Sequence, residues 1–319
     1  MWRYCTDEEA IRSFHLTDGL QCKEGKEIQT LFAVSNHAEV HYHTAYIPKK
    51  KGGRRKLLVP DALLGRIQKN ILQNVLAERK VSPYAKAYIK GMGIVENALP
   101  HSHAEILLKL DIEDFFENIT YLMVYQKAFP EKFFPPAIRT MLAHLCCYND
   151  YLPQGAVTSP MISNLVMYSF DEYIGKWCGE RKIAYTRYSD DMTFSGDFEV
   201  KEVKHKVRSF LGKMGFLLNE EKTRVLKQYQ RQIVTGIVVN EGTNISKSYK
   251  RSIRQEIYYC EKYGAKSHLQ RRNLSEKEEV PYLKQLLGKV NYVLQINPDD
   301  KNFQEAKKKI KEMLLKIKG

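Results

Sequence analysis

The sequence predicts an α+β protein, with a small antiparallel sheet carrying acidic residues and a long, basic, mostly helical C-terminal region. Three observations lead there. In Y-T-R-Y-S-D-D-M-T-F-S-G (185–196) polar and apolar residues alternate on both sides of a short polar break, which reads as a β-hairpin with Asp190 and Asp191 at its tip. I-L-L-K-L-D-I (106–112) is a short, nearly unbroken apolar run, as expected of a buried strand that delivers Asp111 at its end. Beyond residue 240, apolar residues recur mostly at helical spacing.

In chain order, residues 1–45 carry mixed helical patterning and no interpretable motif. K-K-K-G-G-R-R-K (49–56) sets six basic residues around two glycines, which reads as a basic hairpin, and L-L-V-P-D (57–61) as a strand ending in a turn. Leu63, Leu64, Ile67, Ile71, Leu72 and Val75 predict a helix over 62–80. After L-P-Q-G-A-V-T-S-P (152–160), a Thr-Ser-Pro start signal and the stripe Ile162, Leu165, Val166, Phe170, Tyr173, Ile174, Trp177 predict another. The hairpin at 183–196 follows, then a helix near 199–214, G-F-L-L-N-E-E-K-T (215–223), and a β-rich run at 232–240. Tyr282, Leu283, Leu286, Leu287, Val290, Val293 and Leu294 share a helical face. N-P-D-D (297–300) breaks the pattern before a last basic helix striped by Phe303, Ala306, Ile310, Met313, Leu314 and Ile317.

Composition narrows the class. A chain of 319 residues with 43% hydrophobic and 28% charged residues can bury a sizeable core and is not disordered. No apolar run approaches a membrane span, and the acidic, broken start M-W-R-Y-C-T-D-E-E-A is unlike a signal peptide. The six cysteines lack C-x-x-C spacing, which argues for reduced intracellular thiols and against a zinc site or a disulfide framework. Net charge is +14, of which +8 falls within 241–319, where 18 basic residues face 10 acidic ones. A surface of that sign favours a polyanion, and nucleic acid over membrane, because no polybasic amphipathic helix adjoins an anchor. The charge shift near 240 marks the expected domain boundary.

Taken alone, an Asp-Asp pair is an ordinary solvated turn. It becomes more if Asp111 meets Asp190 and Asp191 in one sheet, because three close carboxylates are unstable without cations. Hard oxygen ligands select Mg²⁺, which keeps waters and shares substrate phosphates. Two such ions can clamp the attacking and leaving oxygens of an in-line phosphoryl displacement.

At this point the motifs resemble a known family. L-K-L-D-I-E-D-F-F-E-N-I, L-P-Q-G-A-V-T-S-P and Y-S-D-D stand in the order and spacing of the reverse transcriptases, as first catalytic acid, template–nucleotide loop and aspartate hairpin. G-F-L-L-N-E-E-K-T resembles the following segment, which ends in a lysine, here Lys222. G-G-R-R-K-L-L-V-P resembles the fingers segment, and L-L-G-K-V-N-Y-V-L-Q-I-N-P (286–298) is weakly thumb-like. N-A-L-P-H (97–101), ten residues before Asp111, and V-T-G (234–236) are similar to two motifs of the retron reverse transcriptases. Ser189 departs from that pattern, which usually has alanine.

The resemblance implies a right-hand polymerase: an N-terminal helical extension (1–45), fingers and palm (46–240) and a basic helical thumb that binds RNA (241–319). It implies two Mg²⁺ held by Asp111, Asp190 and Asp191 with the Ile112 carbonyl, and Lys222 as proton donor to pyrophosphate. Phe116 would be the gate against a 2′-OH, Gln154 and Gly155 would pack on the nucleotide, and Arg55 with Lys50, Lys51 or Lys56 would hold its triphosphate. Asn97, His101, Val234, Thr235 and Gly236 would face RNA or primer, with Asn97 and His101 positioning RNA or bracing the fold rather than performing chemistry. Glu113 and Asp114 read as solvated or structural rather than as ligands, and the pairs His41/His43 and His101/His103 as structural.

The function so implied is copying of part of a cognate structured noncoding RNA (msr-msd) into DNA from deoxynucleoside triphosphates. Priming from a guanosine 2′-OH would give branched msDNA, serving antiphage defence with a separate effector protein in a bacterial cytoplasm. Two other readings stay open: a group II intron-like or defence-associated reverse transcriptase without msDNA, and a non-catalytic RNA-binding scaffold.

Overall fold

The computed structural model describes residues 6–49, 52–272, 275 and 278–318. Lys50 and Lys51 therefore lie outside the described residues. Helix α1 (Asp7–Ser13) opens with a capping box between Thr6 and Glu9, and α2 (Glu27–Asn36) follows. Strands β1 (Tyr42–Pro48) and β2 (Arg54–Pro60) pair antiparallel from Tyr42↔Pro60 to Pro48↔Arg54, so the basic stretch is a hairpin as its sequence predicts. Asp61 caps α3 (Ala62–Asn70) by accepting the Leu64 N–H at 2.8 Å. The helix predicted to reach residue 80 instead passes into a π turn at Ile71–Leu76.

Helix α4 (Ile94–Ala98), strand β3 (Ile106–Asp111) and the short α5 (Tyr121–Met123) come next. Pro136 then starts α6 (Pro136–Cys146), a helix the periodicity did not reveal. Helix α7 (Ser159–Gly179) begins at the expected Ser-Pro. Strands β4 (Ala184–Tyr188) and β5 (Asp191–Gly196) form the aspartate hairpin, with α8 (Val200–Lys213) and β6 (Arg224–Lys227) after it. The two-residue strands β7 (Ile233–Val234) and β8 (Ile237–Val238) precede four helices: α9 (Lys247–Tyr263), α10 (Ala265–Arg271), α11 (Glu279–Ile296) and α12 (Lys301–Lys318). Among the described residues, no helix is long and apolar enough to cross a membrane.

The chain divides into two compact units, Met1–Gly93 with Ile106–Val225, and Ile94–Glu105 with Leu226–Gly319. In the first, the central sheet has the order β4-β5-β3-β6. Its core is built on one face of that sheet, where Leu108, Leu110, Met192, Phe194 and Tyr185 are buried with Phe170 and Ile174 of α7. In the second, Leu283, Leu286, Val290 and Val293 of α11 are buried, as are Ile253 of α9 and Phe303 and Ile310 of α12. This is the helical face the sequence pattern anticipates.

Candidate active site

Strand alternation decides what the sheet presents. Side chains two apart on a strand share a face, so β3 puts Lys109 and Asp111 together, and β5 puts Asp191 and Thr193 together. The antiparallel register sets Asp111 opposite Asp191 and Lys109 opposite Thr193, which makes one polar face of two strands far apart in sequence. The alternate residues go to the core. Asp190 sits in the turn between β4 and β5, and its carbonyl accepts the Ile112 N–H at 3.1 Å. The three acids and Ile112 are therefore gathered at one end of the sheet.

Their electrostatics follow from that gathering. Burial, and then the charges of Asp190 and Asp191, push the Asp111 carboxyl up to about 6, against a hydrogen bond from Lys222 that favours its ionised form. Burial also raises Asp191, with Asp190 adding to the rise while Lys109 and Lys222 oppose it. Lys222, on a 3-10 turn capped by Asn219, donates its Nζ to Asp111 Oδ1 at 2.7 Å. A lysine ammonium thus occupies a place where these acids would accept a cation.

Among the described residues, no three acids, histidines or cysteines converge as a preformed metal cage. The donor set, carboxylates plus a backbone carbonyl, is hard oxygen. It fits an ion whose coordination is completed by water and substrate phosphate rather than by protein.

The hairpin is held from the core side by a network that motif reading missed. Arg187, fully buried, donates Nε to Asp171 Oδ1 at 2.8 Å and Nη2 to Asp171 Oδ2 at 2.6 Å. Its Nη2 also donates to Asn164 Oδ1 at 3.1 Å, and its Nη1 to the Ser189 carbonyl at 2.9 Å. Ser189 stands at φ 62°, left-handed backbone that a non-glycine residue adopts only when held. On the other side of the turn the Tyr88 hydroxyl donates to Ser189 Oγ at 3.1 Å. The segment bearing Tyr88 is itself pinned beside β4: Lys86 N–H donates to the Arg187 carbonyl and Arg187 N–H to the Tyr84 carbonyl. Within the alternating pattern of Y-T-R-Y, nothing in the local sequence sets Arg187 apart from a solvent-facing charged residue. Lys109 was signalled by its i−2 position to Asp111.

The nucleotide candidates lie on segments tied to this sheet. Phe116 is half-buried, edge-on to Phe115 with ring centroids 5.4 Å apart, in the turn after β3. That turn leads to Ile119 and Tyr121, which bond to Leu152 and Asp150 through the backbone. Beyond them the Gln154 carbonyl accepts the Leu58 N–H at 2.8 Å. Gly155, at φ 125°, lies so close to β2 that a Cβ would fall 2.7 Å from the Leu58 carbonyl oxygen. Only glycine fits there. The 152–160 loop thus packs on the strand that carries Arg55 and Lys56, both exposed. Glu113 and Asp114 are exposed, and His41 is paired with Asp61 at 2.7 Å.

The remaining motif residues belong to the second unit and meet one another there. Val234-Thr235-Gly236 forms the tight turn between β7 and β8, with φ 45° at Thr235 and 89° at Gly236. Such a φ is unusual for a β-branched residue. The Thr235 hydroxyl donates to the Ile94 carbonyl at 3.2 Å and accepts from Asn97 Nδ2 at 3.4 Å, so N-A-L-P-H and V-T-G are one local structure. Asn97, His101 and Val234 are all buried, and burial drives the His101 imidazole down to about 3.

Comparison with known proteins gives the family. The family model described as reverse transcriptase (RNA-dependent DNA polymerase) matches residues 47–283. The retron Ec86 reverse transcriptase of Escherichia coli is 31% identical over 250 residues, spanning 76% of this chain and 78% of that protein. This chain belongs to the retron reverse transcriptases. The retron Ec83 enzyme of Escherichia coli is 31% identical over 226 residues (66% of this chain, 72% of that one). The retron Mx65 enzyme of Myxococcus xanthus is 30% identical over 237 residues, spanning 68% of this chain and 56% of its own length. Telomerase from Candida albicans, solved with a fragment of telomeric RNA, aligns over 92% of this chain and 68% of its own at TM-score 0.47 and 11% identity, too distant to add to the assignment. The chain is α+β with a helical C-terminal region, and as a reverse transcriptase it is an RNA-directed DNA polymerase. As a reverse transcriptase it copies an RNA template with deoxynucleoside triphosphates, and enzymes of this family generally use divalent metal ions.

Proposed function

We propose that this enzyme copies part of its own structured noncoding RNA into single-stranded DNA, primed from an RNA 2′-OH, to give branched RNA–DNA. The observation that carries the reading is Asp111 set directly opposite Asp191 in the β3–β5 register, with Asp190 in the adjoining turn. Asp111, Asp190 and Asp191, with the Ile112 carbonyl, would hold two Mg²⁺, which when bound supply the charge that activates the primer hydroxyl and neutralises the leaving phosphates. Arg55 and Lys56 on β2 would hold the triphosphate, Gln154 and Gly155 the nucleotide, and Phe116 the space a 2′-OH would need. Lys222 would donate a proton to pyrophosphate.

In the C-terminal region (241–319, the thumb in this reading), Tyr258 and Tyr263 are exposed, and the Arg271 guanidinium lies 4.6 Å from the Tyr263 ring centroid. Cations and aromatics so arranged suit an RNA stem and the unpaired bases beside it. Asn97 and His101, buried, would brace the V-T-G turn rather than touch RNA. The fingers and palm would span 46–240, and the DNA product would serve antiphage defence with a separate effector in the cytoplasm.

The test is primer extension in Mg²⁺ by Asp190→Asn beside the parent enzyme. Expected is loss of DNA synthesis with RNA binding kept; full deoxynucleotide incorporation by the variant would remove the mechanism. Sequencing the copurifying nucleic acid then reports on the branch: a 2′,5′ linkage supports the retron reading, and its absence favours a reverse transcriptase without msDNA.

A further inference from the structure

We propose that the unit holding the carboxylates carries a second nucleic-acid site, a pocket that takes one unpaired base of a single strand and holds the flanking phosphates. The pocket encloses about 920 Å³ and shares no residue with the carboxylate site. Its walls are aromatic: Phe14 from the N-terminal extension, Phe133 and Phe134 from the loop before α6, and Tyr168 from α7. Its rim is basic, with Arg79, Lys80, Lys127 and Lys132 against a single acid, Glu78. Gln126 and Ser169 add polar groups within reach of a base edge.

The walls are built in advance. Phe134 packs on Phe14 and Phe129 with ring centroids 5.4 and 5.7 Å apart. Arg79 Nη1 donates to the Ala128 carbonyl at 2.9 Å and Nη2 to that of Lys127 at 3.3 Å, while its guanidinium carbon lies 5.3 Å from the Phe133 ring centroid. Arg139, buried in α6, holds the same loop by donating Nε to the Phe129 carbonyl at 2.7 Å. Little ordering is left for a ligand to impose.

Phe133 is 47% exposed, with Lys132 5.7 Å from its centroid, so a large ring is presented to solvent among cations. A nucleotide matches both halves at once, a flat π-face for the ring and guanidinium and an anion beside it for the lysines. An acidic peptide matches both only if acidic and aromatic side chains alternate in register. A polymerase of this family also has single strands at hand. The site makes no use of the carboxylates, so Asp190→Asn leaves it intact whatever that change does to synthesis.

The experiment irradiates the full chain with oligothymidylate carrying one 5-iododeoxyuridine and maps the crosslinked peptides. Expected are crosslinks at Phe133, Phe134 or Tyr168, and roughly five- to tenfold weaker oligothymidylate binding by Phe133→Ala, the loss of one stacked base. Lys127→Glu with Lys132→Glu weakens binding further and flattens its salt dependence. Extension of a saturating short template–primer stays unchanged in Phe133→Ala. Crosslinks confined to other segments, with both variants binding normally, would overturn the proposal. So would an acidic, tryptophan-containing peptide whose binding Phe133→Ala abolishes while oligothymidylate is unaffected, which would give the pocket to a protein partner.

Discussion

Arg187 and Asp171 meet at 2.6 Å with neither side chain exposed, and the same guanidinium holds the carbonyl of Ser189, one residue before the aspartate pair. A buried ion pair loses much of its Coulombic gain to desolvation, but removing one partner leaves a lone charge in the core. Arg187→Met or Asp171→Asn is therefore expected to cost about 3–5 kcal/mol in urea unfolding. The double replacement Arg187→Met with Asp171→Asn should cost less than the sum of those two singles. A purely additive result would mean that the pair is not coupled.

Lys222 reaches Asp111 at 2.7 Å from a turn that is more than a hundred residues further along the chain. The proposed role of Lys222 as proton donor to pyrophosphate predicts that Lys222→Met lowers the single-turnover rate by roughly 10²-fold or more. RNA affinity and deoxynucleotide KM should hardly move. A variant that extends at the parent rate, or one that loses nucleotide affinity alone, would take Lys222 out of the chemistry.

Much of this site was legible from pattern because strands and their ends obey short-range rules. I-L-L-K-L-D-I and Y-S-D-D name the strand and the hairpin, and the basic Gly-Gly stretch names another hairpin. What pattern could not supply is partnership across the chain. Arg187 looks like any charged residue until Asp171 and Asn164, on a helix ahead of it, are seen to enclose it. The coupling of N-A-L-P-H to V-T-G rests on two hydrogen bonds of Thr235 across about 140 positions, which no local periodicity encodes. The helix over 62–80 ends early because its last apolar residues continue in a π turn, a backbone shift that leaves apolar spacing almost unchanged.

Gly155 offers a test of how the 152–160 loop, the proposed nucleotide contact, is seated. Its φ of 125° and the 2.7 Å clash that a Cβ would make with the Leu58 carbonyl oxygen leave no room for alanine. Gly155→Ala should lose about 1–3 kcal/mol of local stability through backbone strain and displace the loop from β2. The expected signature is a raised KM for deoxynucleotides and faster amide exchange at Leu58. Unchanged exchange there, with normal KM, would show the loop to be seated by other contacts.

His101 supplies a pH dependence that does not involve the carboxylates. Burial holds its imidazole neutral down to about 3, whereas in the unfolded chain it titrates near 6.5. Above that value it is neutral in both states and contributes nothing to the pH dependence. Below it the unfolded chain binds a proton that the folded one refuses, so stability falls with falling pH by up to about 1.4 kcal/mol per unit. The loss levels off only once the folded imidazole also protonates. Asp111, raised to about 6, takes up a proton in the folded state over the same range and opposes this slope. Urea unfolding followed by circular dichroism between pH 7 and 5 should therefore show the His101 contribution as the difference in slope between the parent and a variant lacking the imidazole. In His101→Gln that contribution should vanish, although the variant starts from lower stability. An equal slope in both proteins would place the proton uptake on another group.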